Sequence, residues 1–123
     1  MPYVLNVESK SSYLYITVIG ENSYDNVALY LSEVRDMCAK YECPNVLIAE
    51  NLVGPSLNIG RIYDLVSTAS TQTSPVVRKI AYVDINPEHI ANAMKFAENV
   101  AVNRGVFVRV FSTIHAAEEW LVS

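Results

Sequence analysis

Asp84, Glu88 and His89 fall in one short stretch, and a histidine beside carboxylates is the combination that moves protons near neutral pH. His89 with Asp84 or Glu88 is therefore the acid–base pair this sequence could offer an enzyme. No serine, cysteine or lysine stands beside it at a nucleophile's spacing. There is no Gly-x-Ser-x-Gly elbow either. Asn86-Pro87-Glu88 is already accounted for as a helix start, with Asn86 capping, Pro87 first in the helix and Glu88 in the first turn. No catalytic residue is assigned and the chain is expected not to be an enzyme.

Metal and nucleotide chemistry fare no better. Cys38 and Cys43 lie five apart, and the only histidines, His89 and His115, have no Cys-x-x-Cys partner, so no metal site is assembled. The two thiols read as reduced. The four glycines, at 20, 54, 60 and 105, cannot build a dinucleotide fingerprint or a P-loop. No cofactor is expected, and His115 reads as an exposed residue in the first turn of the last helix.

The stretch most open to binding is the loop 51–58, Asn-Leu-Val-Gly-Pro-Ser-Leu-Asn. It follows an apolar strand and precedes a helix, and open α/β sheets place ligands at that junction. Ser56 is positioned to cap the helix, whose free N–H groups would also favour an anion or a phosphate on Ser56 itself. Asn51, Gly54, Ser56 and Asn58 are the candidate binding residues of this loop, with Asp84 and Asn86 at the next strand exit sharing its rim. Tyr63 and Tyr82 either line a cavity or serve as core and edge aromatics.

These residues need a frame, and hydrophobic spacing supplies one. Residues 3–7 and 13–19 are β-branched and aromatic, separated by a polar turn, and predict an antiparallel pair ended by Gly20. Both faces of the second strand are apolar, as in a sheet covered on two sides. Ser23 caps a helix whose stripe is Tyr24, Val27, Ala28, Leu31, Val34, Cys38 and Tyr41, with Glu33, Asp36 and Lys40 towards water. Pro44 stops it. Residues 46–49 read as a buried strand. Ile59, Ile62, Val66 and Ala69 mark a second helix that gives way to the polar run 70–75.

Residues 79–83 are a third buried strand. Ile90, Met94, Ala97 and Ala101 form the apolar face of the helix begun at Asn86, and Gly105 after Arg104 ends it. Residues 106–111 form the last strand, after which Ser112 or Thr113 caps a closing helix. The order is β-β-α-β-α-β-α-β-α. It predicts a single α/β domain over 1–123, with a mostly parallel sheet, one antiparallel edge strand and helices on its faces.

Composition narrows the partners. A net charge of −4 without any cluster of Lys and Arg excludes nucleic-acid binding. No window approaches a membrane span, and with reduced thiols the expected location is the cytoplasm. An apolar fraction of 51% with 18% charged residues leaves apolar surface for a partner, for a second copy in a homo-oligomer, or for a pocket.

The closing string Val110-Phe111-Ser112-Thr113-Ile114-His115-Ala116-Ala117-Glu118-Glu119-Trp120-Leu121, with the element order, resembles the STAS superfamily, and within it the small stand-alone SpoIIAA-like domains. The resemblance implies a non-catalytic regulatory or protein-interaction module. In antagonist members it also implies a phosphorylatable hydroxyl in an Asp-Ser-[Ser/Thr]-Gly turn. Here that turn reads Glu50-Asn51-Leu52-Val53-Gly54-Pro55-Ser56, where Glu50 keeps the acidic place and the hydroxyl pair is absent. Kinship with the lipid-binding Sec14 fold implies the alternative, a carrier of a small apolar ligand held between sheet and helices.

Overall fold

The computed structural model describes residues 3–55, 58–73, 77–86, 95, 98–100, 102–103 and 107–122. Its elements are β1 (Val4–Ser9), β2 (Leu14–Glu21), α1 (Tyr24–Lys40), β3 (Asn45–Val53), α2 (Ile59–Thr73), β4 (Lys79–Asp84), β5 (Phe107–Phe111) and α3 (Ile114–Val122). Between β4 and β5, residues 95, 98–100 and 102–103 are helical. The helix start at 87–90, the stripe residues Met94, Ala97 and Ala101, and Gly105 lie outside the described residues.

The strands form one sheet in the order β1-β2-β3-β4-β5, with β1 antiparallel to β2 and every other pair parallel. The order has a steric consequence. Right-handed crossovers that always step in the same direction put their helices on the same side of the sheet. α1 and α2 accordingly share one face, where Tyr30, Val34 and Cys38 of α1 pack on Leu14, Ile16, Val18, Val46, Ile48, Leu52 and Ile80, with Val66 of α2 beside them. Even-numbered residues of β2, β3 and β4 supply this core, as the pleat requires.

Among the described residues, the other face is packed by α3. Ala117 and Leu121 pack on Tyr13, Leu47, Ala49, Ala81 and Val83, where the alanines allow close approach. Trp120 wedges between Phe107 and Phe111, with ring centroids 5.3 and 5.6 Å away. α3 lies over β3, β4 and β5, and Tyr13 and Tyr15 reach its cluster, while at the far end of the β1–β2 pair Val4 and Ile19 stay exposed on this side. Helices thus stand on both faces as expected, but the cover is uneven: Ile19, pointing to the α3 side, is half exposed.

Helix-to-sheet contacts also use hydrogen bonds between tyrosines and glutamates. The Tyr3 hydroxyl donates to Glu33 of α1, the Tyr13 hydroxyl to Glu118 of α3, and the Tyr30 hydroxyl of α1 to Glu50 of β3. Glu33 is thus half-buried in a contact rather than turned to water as its helical position predicted. The buried stripe of α1 is Asn26, Tyr30, Val34 and Cys38, rotated from the expected one. Tyr41 is exposed. The rotation follows from Tyr30, whose polar tip suits the interior only because Glu50 is there to receive it.

Element ends moved as well. β2 runs through Gly20 to Glu21, β3 runs to Val53 instead of ending at 49, and α2 continues to Thr73 through polar residues that read as a loop. A parallel ladder with β2, closing at Glu21↔Val53, holds the extension of β3. No proline or glycine follows Gly60 within the described span of α2, so the polar run does not end the helix before Thr73. Thr113 is the cap of α3, its Oγ1 accepting the Ala116 N–H at 3.2 Å.

The uneven cover gives a direct test. Ile48→Ala, in the centre of β3 under α1, should lower unfolding free energy by about 2–5 kcal/mol through lost burial and a cavity. Ile19→Ala, on the uncovered side, should cost at most ~0.5 kcal/mol. Denaturant unfolding of both variants measures the difference, and equal costs would mean that Ile19 is packed.

Candidate functional site

The carboxyl ends of β3 and β4 meet where the sequence placed a rim. Glu50, 4% exposed, pairs in register with Asp84 on the face beneath α1. The Tyr30 hydroxyl donates to the Glu50 carboxylate, and the Tyr82 hydroxyl lies beside the same pair. A buried carboxylate costs several kcal/mol unless donors receive it, and phenols are good donors to it. Burial first, and then the adjacent Glu50 charge, hold both phenols well above their ordinary range, so they remain protonated donors. Glu50 therefore serves to fasten α1 to the sheet. Tyr82, left open between cavity wall and core, takes the structural role.

Above this cluster, two asparagines hold the loop that leaves β3. Asn22, following β2, donates its backbone N–H to Val53 O at 2.7 Å and its side-chain Nδ2 to Pro55 O at 2.8 Å. From the other side, Asn86 Nδ2 donates to Leu52 O at 2.7 Å, and the Ile85 N–H donates to Glu50 O at 2.8 Å. Asp84 Oδ1 in turn accepts the Asn86 N–H at 3.0 Å. Three consecutive strand exits are tied together. Gly54 makes the turn with φ of +114°, a conformation open to glycine at little cost.

The predicted site residues divide as follows. Asp84 and Asn86 meet the exit of β3 as expected. Asn51 belongs to β3, exposed on the α3 side, because the strand outlasts its predicted end. Asn58 caps α2, its Oδ1 accepting the Arg61 N–H at 2.9 Å, which is the task assigned to Ser56. Ser56 itself lies outside the described residues, as do Glu88 and His89. Arg61 stacks its guanidinium over Tyr24 at 5.0 Å, and Tyr63 is largely exposed. His115 pairs with Glu119 at 2.6 Å on the surface of α3. Cys38 and Cys43 are free thiols, and burial pushes Cys38 up to about 12, which makes it a poor nucleophile.

Beside the rim, the uncovered face carries a row of apolar side chains that sequence reading did not single out. Val4, Ile19 and Ile85 are 53%, 50% and 45% exposed, and Val53 is 67% exposed. Val4 pairs with Ile19, and Ile19 with Asn51, so the apolar side chains flank a polar residue on β3. Its signal was present as apolar residues alternating with the ones that fill the α1 core, odd-numbered on β2 and β3 and even-numbered on β1. Recognising it needs the strand order, which decides how far one helix can reach.

No protein-family model matches the chain, and no curated protein sequence matches it. Solved structures do. An anti-sigma factor antagonist from Mycobacterium paratuberculosis aligns with a TM-score of 0.60 at 13% identity, over 98% of this chain and 95% of its own. The fold is SpoIIAA-like. An uncharacterized protein from Shewanella loihica PV-4, described as having a SpoIIAA-like fold, aligns with a TM-score of 0.58 at 13% identity, over 98% of this chain and 94% of its own. In the present SpoIIAA-like chain, the exit of β3 carries Glu50 and Asn51 and no hydroxyl before Ser56. Among the described residues no helix is long and apolar enough to cross a membrane.

Two outcomes follow from the tyrosine cluster. Tyr30→Phe, which removes a donor from buried Glu50, should destabilise the fold by about 1–3 kcal/mol. Tyr41→Phe, at the exposed end of α1, should be close to neutral; denaturant unfolding reads both. The second outcome concerns alkali. Tyr13 is pushed up to about 12 by burial and Glu118, and Tyr3, Tyr30 and Tyr82 are raised as well. The unfolded chain releases these protons near pH 10 and the native chain holds them. Stability should stay level below pH 10 and fall as pH rises beyond it. Tyrosinate absorbance should show the buried phenols titrating only as the protein unfolds.

Proposed function

We propose that this chain is a non-catalytic regulatory module that grips a protein partner at the carboxyl end of its sheet. The observation that carries the reading is the apolar row of Ile19, Val53 and Ile85 beside a rim held rigid by Asn22 and Asn86. Exposed apolar side chains close together on a preorganised surface suit protein docking. The fold supports this, since one solved structure that shares it is an anti-sigma factor antagonist, a protein named for action on another protein.

Anion binding at the start of α2 is the weaker use of the rim, because Asn58 already occupies the Arg61 N–H. Regulation by phosphate at the strand exit lacks an acceptor among residues 50–55, and Ser56 is the first hydroxyl beyond it. A carrier of an apolar ligand needs open volume between sheet and helices. Beneath α1 that volume is taken by Tyr30, Val34, Leu14, Ile16, Val46 and Ile48.

A photo-crosslinking residue placed at Val53 in the native host should capture a discrete partner, and Ile85→Asp should abolish that adduct while leaving the fold intact. Leu29→Asp, equally exposed but on α1, should leave it unchanged. Adducts that persist with Ile85→Asp and vanish with Leu29→Asp would move the interface to the helical face and contradict the proposal.

A further inference from the structure

A sheet that does not close has two edges, and they are treated differently here. At β5 the outward Val110 N–H is taken by the Glu98 carboxylate at 3.0 Å, so a side chain blocks that edge. At β1 no such guard is present among the described residues. β1 reads Val-Leu-Asn-Val-Glu-Ser, without the lysine or proline that commonly protects an edge strand, and without a bulge in its register with β2.

The phase of the open edge can be derived. The Lys10 N–H donates to Tyr13 O at 2.9 Å, which makes residues 10 and 13 a hydrogen-bonded antiparallel pair. Such pairs recur every second residue, so Val4, Asn6 and Glu8 turn their backbone groups to β2. Leu5, Val7 and Ser9 then turn theirs outward. Leu5 and Val7 are also half-buried against the α1 core, so their side chains would gain cover from a strand added alongside.

We propose that β1 pairs antiparallel with β1 of a second copy, about a twofold axis through Asn6, to join two sheets into one. Opposed residues in an antiparallel pair share a face, which restricts a symmetric register to positions whose numbers sum to an even value. The register centred on Asn6 opposes Leu5 to Val7 of the second copy, and Val7 to Leu5. All of these present outward backbone groups, and Tyr3 opposite Ser9 extends the ladder. Val4 meets Glu8 and Asn6 meets Asn6, so no like charges oppose, whereas a register centred on Glu8 would bring two carboxylates together. The blocked edge at β5 limits the assembly to a closed pair. This interface is separate from the Ile19–Val53–Ile85 row and does not depend on the regulatory reading.

Sedimentation across a broad concentration series should show the mass rising reversibly from one chain towards two. Val7→Pro removes an outward N–H and no β1–β2 bond, and should yield a monomer with an unchanged circular dichroism spectrum. In a Cys43→Ser background, Asn6→Cys should cross-link rapidly with oxidised glutathione, because a non-hydrogen-bonded pair on the axis has Cα atoms about 4.5 Å apart, within disulfide reach. Val4→Cys should cross-link far more slowly, and this comparison decides the matter should the proline variant fail to fold. A wild type that stays monomeric at its solubility limit would overturn the proposal, as would cross-linking that is no faster at position 6 than at position 4.

Discussion

The constraint on which the structure depends is the sequential order of its strands. Each parallel connection steps one place across the sheet and turns right-handed, so the connecting helices accumulate on one side. That side becomes a deep core from Leu14 to Ile80. On the opposite side α3 packs on β3, β4 and β5 and does not reach the far end of the β1–β2 pair. Val4, Ile19, Val53 and Ile85 are the apolar side chains left exposed there among the described residues. The docking surface is thus a product of topology as much as of residue choice.

Within this frame the rim gains its rigidity from polar contacts that look unpromising in isolation. Glu50 is a charge in the interior, and Tyr30 and Tyr82 are phenols in the interior; each is tolerable because of the others. Their mutual satisfaction sets the rotation of α1 over the sheet and lets β3 run on past Ala49. Asn22 and Asn86 then tie the neighbouring exits to that longer strand. A carboxylate that only keeps the acidic place of a turn in one dimension is a fastening in three.

Much of this was legible in the sequence. The alternation of short apolar runs with helical stripes placed every described strand and helix in the right order, and the closing Phe–Trp–Leu pattern pointed to the SpoIIAA-like fold that the solved structures share. Asp84 and Asn86 were brought to the exit of β3 as expected. What periodicity could not show were pairings between distant residues. Tyr30 fell off the stripe set by Tyr24, Val27, Ala28 and Leu31, and its acceptor Glu50 lies on another element. Asn58 and Ser56 both offered a side-chain oxygen near the start of α2, and only the observed start of the helix at Ile59 selected Asn58. Ile19 alternates as a buried residue should; its exposure depends on where α3 ends up.

The central claim is that one face of the sheet is open at the Val4–Ile19 end of the β1–β2 pair and stands beside a fixed rim. Methyl resonances of isoleucine and valine, recorded with a soluble paramagnetic agent, test it most directly. Ile19, Ile85, Val53 and Val4 should be strongly broadened while Ile16, Ile48 and Ile80 remain sharp. Ile19 as well protected as Ile16 would show that the face is covered, and the account built on its exposure would be contradicted.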